Sequence, residues 1–340
     1  MGWPGEQLVS RLIETLSEKG IGNLLRPGQI KREGLANITV DRAKALVGAQ
    51  TEREIEEIRS GKKDISEFSL ELTFAKSGRA HSNVDTRIDP VVDVESLRLI
   101  GESRILSDAI RREVNTASTI LYAEEILRED SSEPPEDKVD EDWLFRWRDC
   151  AGEVSGEDLQ ILWGRVLAGE VKSPGTYSLR CLEFLRNLSQ SEAKLIEVMC
   201  SLAISDFIWR PDKNKYQLPL SFKQLLELEE LGVIGGVTGG LSLDLHDSDE
   251  EGSEWLALII SNGKCLIVNH SDKKVNLRIS AYAITKLGMQ LLSLGSFKPN
   301  LDYLEAMGKS FIGSGFKVKV ADVAEATPEY TSWVNAVDLK

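Results

Sequence analysis

Residues able to do acid–base or metal chemistry are few in this chain, and they are scattered. There are three histidines, His81, His246 and His270, far apart in sequence. None has a second His, a Cys or a carboxylate at ligand spacing except His246, whose surroundings include Asp244, Asp247, Asp249, Glu250 and Glu251. That stretch could hold a divalent cation. It lacks the spacing and central glycine of an EF-hand loop, so a solvated acidic loop between strands is the favoured reading. Residues 232–240 are glycine-rich, but no helix N-terminus follows to receive a phosphate, which favours a flexible connection. No Walker loop, GxGxxG or GxSxG occurs. The cysteines Cys150, Cys181, Cys200 and Cys265 form no CxxC and read as reduced, buried thiols. The expectation is no catalytic set, no cofactor and no metal, hence no conventional enzyme.

What remains is chemistry of packing and pairing. Trp143, Trp147 and Trp163 recur at helical spacing and read as core rather than as a ligand box. Arg165, Glu170 and Arg180 flank the same region and could pair across an interface, although solvated ion pairs are the plainer reading. Near the start, Leu8, Leu12 and Leu16 make an apolar helix face, and Lys31, Arg32, Arg42 and Lys44 follow it. That combination permits a membrane-surface contact. Burial against the body or a second subunit is favoured over it.

Composition narrows the partners. The chain has 340 residues, a net charge of -14 and 41% hydrophobic residues, with seven tryptophans. This is enough apolar material for more than one core. So acidic a chain repels phosphate backbones unless a basic face is segregated, which disfavours nucleic acid as a partner. No basic n-region with an apolar core opens the sequence, and no run of about 18 apolar residues occurs. Cytoplasmic localisation is therefore expected.

The elements that must position these residues are mostly helical. An amphipathic helix is predicted over 5–19 and a second over 29–60, polar nearly all round at 51–59. Residues 61–94 read as a loop-rich linker, with an alternating stretch at 68–74. A long helix follows at 94–128, its stripe running through Leu99, Leu106, Ile110, Val114, Ala117, Leu121 and Leu127. That length suggests a helical hairpin or a contact with another chain. Two prolines and many acids make 129–140 a solvated linker. Asp140 is placed as the cap of the next helix. Ser155 is placed as the cap of the one after, with Val154 stapled to Leu159 and the end near Gly169. Ser178 opens a third helix, and Ser189 with Glu192 makes a capping box for a fourth.

Beyond 205 helix and strand mix. A short strand is predicted at 217–220, then a helix capped by Ser221 with Gln224. The hairpin over 255–269 turns at Asn262-Gly263, the pair that suits a type I′ turn. A strand at 275–284, a helix opened by Thr285, a helix at 300–312 and a strand at 316–320 complete the set. Residues 321–340 read as a loosely held tail, with Trp333 as a docking anchor. The order of elements from 195 to 294 is that of a winged helix. Its candidate recognition helix carries Glu227, Glu229 and Glu230 against Lys223 alone, the wrong sign for a major groove.

Residues 140–204 resemble an uncharacterised bacterial and prophage family. Its members carry an Asp-Trp helix, a VSxExLQxLWxRxLAGE helix and a PGxxSLRxLExLxxLSxxEA segment. Those motifs fall here at Asp142-Trp143, at 154–170 and at 174–193. The N-terminal sixty residues are similar to proteins linked to abortive phage infection. The resemblance implies a bacterial cytosolic protein in phage biology and brings no catalytic residues.

The fold expected is mainly α with a smaller α+β part. It comprises a helical arm (1–60), a linker (61–94), a central helical domain (95–205), a winged-helix-like domain (206–295) and a helix–strand tail (296–340). The function expected is a self-associating, non-enzymatic interaction protein in an anti-phage or prophage pathway, with a phage or host protein as partner. A DNA-associated regulator and an enzyme with a carboxylate site assembled only on folding are the alternatives.

Overall fold

The computed structural model describes residues 4–21, 94–248, 252–326 and 331–340. The helix expected at 29–60, the strand at 68–74, nearly all of the linker, His81 and the basic side chains Lys31, Arg32, Arg42 and Lys44 lie outside them. The chain divides into two compact units after Gly175. This division assigns the helices between 179 and 201 to the second unit, whereas the sequence reading grouped them with the first. Together the units combine helices with two small antiparallel sheets, an α-plus-β composition.

The first unit is helical. α1 (Glu6–Glu18) buries Leu8, Val9, Leu12 and Leu16, the predicted stripe. α2 (Val94–Arg128) runs unbroken for 35 residues. Only its second half packs on α1, α3 (Glu141–Gly152) and α4 (Glu157–Lys172). Ile120, Ala123 and Leu127 of α2 meet Trp143, Leu144 and Trp147 of α3 and Trp163, Val166 and Leu167 of α4 in the buried core of this unit. α2 and α4 approach closely because Gly164 has no side chain. A Cβ there would lie 2.8 Å from the Tyr122 Cβ and 3.1 Å from the Thr119 carbonyl oxygen. Polar groups caught in this core are satisfied locally. The Asn115 amide donates to the Gly152 carbonyl at 2.9 Å, and the Gln160 amide to the Val154 carbonyl at 3.0 Å.

Asp140 caps α3, accepting from the Trp143 N–H at 2.9 Å. The next cap differs from expectation. Gly156, not Ser155, is the N-cap of α4, and no side chain caps it. Residues 155–159 are all exposed, and the first turn of α4 is held at its start by the Tyr122 hydroxyl of α2, which donates to Glu157 at 3.3 Å. Leu159 is on the same side of α4 as Trp163, one turn earlier, but is 52% exposed, because the cover does not reach the first turn. The helix also continues past Gly169 to Lys172.

The acidic stretch 129–140 is not a free linker. Arg11 of α1 donates to the Glu136 and Asp137 carbonyls at 3.2 and 3.1 Å. Lys138 pairs with Glu18 at 3.0 Å, Lys19 with Glu141 at 2.7 Å, and Lys172 with Asp130 at 2.5 Å. Contacts to the backbone carbonyls of Glu136 and Asp137 and the Lys138–Glu18 and Lys172–Asp130 pairs thus pin to α1 and α4 a segment whose composition alone suggested a solvated linker.

The second unit begins with α5 (Leu179–Asn187) and α6 (Gln190–Ser201), opened by Ser178 and by the predicted Ser189–Glu192 capping box. A three-residue strand, β1 (Phe207–Trp209), follows. The strand expected at 217–220 does not form. Pro219 offers no N–H to a ladder, and it is β1 that pairs with β6 (Leu277–Ile284). α7 (Phe222–Glu230), with its predicted Ser221–Gln224 box, leads into β2 (Ile234–Gly235). The first sheet has the order β1-β6-β2, and β3 (Ser242–Leu245) also pairs with β6.

The hairpin β4 (Trp255–Ser261) and β5 (Lys264–His270) belongs to a second sheet. Asn262 and Gly263, at φ 47° and 82°, form its turn as predicted. The Asn262 amide donates to the Cys200 carbonyl at 2.9 Å, which anchors the turn on α6. α8 (Lys286–Ser293) packs on α5, and the Gln290 amide donates to the Thr176 carbonyl at 2.5 Å. α9 (Leu301–Ile312) lies on β5 and β7. The segment beyond 320 is no loose tail. β7 (Lys317–Ala326) and β8 (Thr331–Asp338) form a hairpin that completes the order β4-β5-β7-β8. β8 is its outer strand, and Asn335 at φ 57° marks a bulge in it.

Candidate functional site

The six residues singled out in the sequence take different places. Trp143, Trp147 and Trp163 are buried in the first unit, and the Trp147 indole N–H donates to the Trp163 carbonyl at 3.0 Å. Glu170 is 1% exposed and accepts the Gly175 N–H at 2.6 Å, so its carboxylate closes the loop that ends α4. Arg165 is exposed on α4. Arg180 is exposed in the second unit, at the rim of an open cleft of about 330 Å³ floored by Phe184, Leu188, Leu231 and Leu287. Glu183 and Glu192 also line it, and Glu192 is held by the Ser189 N–H at 2.8 Å. The structure thus joins the three tryptophans and leaves both arginines at the surface.

The groups with reactive potential are engaged elsewhere. All four cysteines are buried, and burial pushes the Cys181 and Cys200 thiols up to about 12. Thiols held so far above neutrality are poor nucleophiles. Tyr303 is buried, and desolvation carries its phenol well above the ordinary value while its O–H donates to the Trp209 carbonyl at 3.1 Å. His270 lies against the Phe316 ring, 5.0 Å between centroids, and His246 is exposed. Near His246, Asp247 accepts the Leu256 N–H at 3.1 Å and pairs with Lys273 at 2.8 Å, and Asp244 pairs with Arg278 at 3.5 Å. Among the described residues, no group of three His, Cys, Asp or Glu could hold a metal ion. No helix among them is long and apolar enough to cross a membrane.

The surface that stands out lies on the long helix, which the sequence marked for contact with another chain without showing which part is uncovered. Every residue of α2 from 102 to 112 is exposed. Ile105 and Leu106 are 71% and 62% exposed, Leu97 42% and Ile110 39%. These side chains continue, toward the N-terminus, the same helix that is core from Asn115 onward. The stripe is continuous in sequence, so periodicity could not show where its cover ends. β8 offers a second exposed apolar group, Trp333, Val334 and Val337, on an outer strand.

Residues 101–207 match a family model described as a protein of unknown function, DUF2806. The matched segment runs from the exposed half of α2 to the first residue of β1 and contains the motif-bearing stretch 140–204. Comparison with curated proteins and with solved structures gives no match.

Proposed function

We propose that this chain is a non-enzymatic, self-associating interaction protein. One observation carries the reading. The first half of α2 presents Leu97, Ile105, Leu106 and Ile110 to solvent on a helix whose second half gives Ile120, Ala123 and Leu127 to the core. An apolar surface left bare on an unpartnered protein is an aggregation liability, so a partner is its natural cover. The pinned acidic segment and the satisfied buried polar groups make the first unit a firm platform for such a contact. An anti-phage role is supported by the resemblance of 140–204 to a prophage family and of the first sixty residues to proteins linked to abortive phage infection. Light scattering at micromolar concentration tests self-association. A mass above that of one chain is expected, and a monomeric mass rejects the reading.

A second reading, a winged-helix-like module acting on DNA, is favoured by one observation. The sheet order β1-β6-β2, with α7 running into β2 and β3 paired to β6, is compatible with that architecture. Charge opposes DNA binding, because α7 carries Glu227, Glu229 and Glu230 against Lys223. A dissociation constant for duplex DNA tighter than about 10⁻⁸ M near physiological salt, the range of specific binders, would restore it. Much weaker binding is expected.

A further inference from the structure

The exposed half of α2 has more to say about its partner than that it is apolar. Successive residues on a helix are separated by about 100°. Ile105 and Leu106 therefore point a quarter-turn apart, and Leu97 and Ile110 lie about 140° from each other. Apolar side chains thus occupy well over a third of the circumference, on no single face. A lipid surface or a flat partner covers one face of a helix. A helix with apolar groups on more than one side is met by a partner whose own relief reaches around it, as the packed helices of a protein body do.

Charge selects what encloses it. Within a chain of net charge -14, the first half of α2 (residues 94–112) holds Arg98, Arg104, Arg111 and Arg112 against Glu95, Glu102 and Asp108, a local net charge of +1. Arg98 is paired with Glu102 at 2.5 Å, Arg111 with Asp108 at 3.5 Å and Arg112 with Glu153 at 3.4 Å. Arg104 makes no ion pair among the described residues, and it directly precedes the two most exposed apolar residues of the helix. Arginine is among the residue types enriched at the centre of interfaces. The remainder of the same helical unit is its electrostatic counterpart. Residues 113–175 carry 16 carboxylates against six basic side chains. That body also exposes apolar groups of its own, Ile126, Phe145 and Leu159.

We infer that the basic, apolar first half of α2 is an arm that docks on the acidic helical body of a second copy of this chain. Each copy gives an arm and accepts one, the reciprocal arrangement that closes into a two-fold dimer. This rests on the self-association reading and specifies its surface.

Light scattering and sedimentation of the full chain test it, with Arg104→Glu and Ile105→Asp as variants. Both positions are exposed, so circular dichroism and the melting curve of a monomeric variant should keep the helical content of the wild type. The expected result is a dimer whose dissociation constant rises about tenfold or more in each variant, as for an interface centre, and rises again with added salt. A wild-type dimer that neither substitution weakens overturns the arm and leaves self-association intact. A monomeric wild type overturns both. A variant whose melting temperature falls sharply while the wild type is monomeric assigns the cover to the chain's own residues. Co-sedimentation of the full chain with phosphatidylserine vesicles, abolished by Arg104→Glu, would assign it to an anionic membrane, and either outcome overturns the arm.

Discussion

Trp163 contributes its ring to the core and its carbonyl to Trp147, so one residue serves two kinds of contact. Truncating a buried tryptophan costs about 3–5 kcal/mol. Trp163→Ala should therefore remove a large part of the stability of the first unit, read as a lower urea midpoint. An unchanged midpoint would mean that the indole is not packed as described. Asp130 makes a pH prediction. Burial raises its carboxyl, but hydrogen bonds from Lys172 and Ser132 and the charge of Lys172 outweigh it and hold the group at about 2. A folded value below the unfolded one means stability that is present above about pH 4 and lost as pH falls toward 2. Its side chain is 24% exposed, so solvent discounts the contribution to about 1 kcal/mol. Asp130→Asn should flatten the acid limb of stability in that window, measured by urea unfolding at a series of pH values.

The helices differ in how much of them is set locally, and two glycines separate propensity from packing. In a helix interior alanine is favoured over glycine by about 1 kcal/mol. At Gly101, where an added Cβ would meet nothing within 4 Å, Gly101→Ala should raise stability by up to about that amount. At Gly164 the same change drives a Cβ to 2.8 Å from Tyr122 and 3.1 Å from a backbone oxygen. Overpacking costs about 1–3 kcal/mol, so Gly164→Ala should destabilise. Equal signs for the two variants in thermal unfolding would contradict the close approach of α2 and α4. The same contrast explains what could be read in advance. Capping boxes at Ser189 and Ser221, the cap at Asp140 and the Asn262-Gly263 turn were legible because each is satisfied within a few residues. β1 was not legible, since its three residues are a strand only through a partner some seventy residues away. The cap of α4 at Gly156 leaves no side-chain mark in the sequence. The exposed half of α2 looked like the rest of its stripe because coverage is a tertiary property. The tryptophans were legible as core, whereas Glu170 owes its burial to a loop that folds back on it.

At the scale of the whole chain, charge and division matter more than any one residue. The excess of acid is unevenly spread, and in the first unit Glu18, Asp130 and Glu141 are paired with Lys138, Lys172 and Lys19. The division after Gly175 falls inside the segment that matches the family model. For anyone cutting the protein into pieces this has a practical side. A fragment trimmed to 101–207 would carry α5 and α6 but discard α8 and α7, on which they pack. It would strip the Thr176 carbonyl of the Gln290 amide, and the Ala203 and Cys200 carbonyls of Ser261 and Asn262. It would also lose α1, the brace of the acidic stretch. Such a fragment should express as insoluble material, while 176–340 should stay soluble and fold alone, and a simple comparison of the two in cell lysates would tell. The boundaries of a sequence family mark what is inherited together, and here they cut across what folds together.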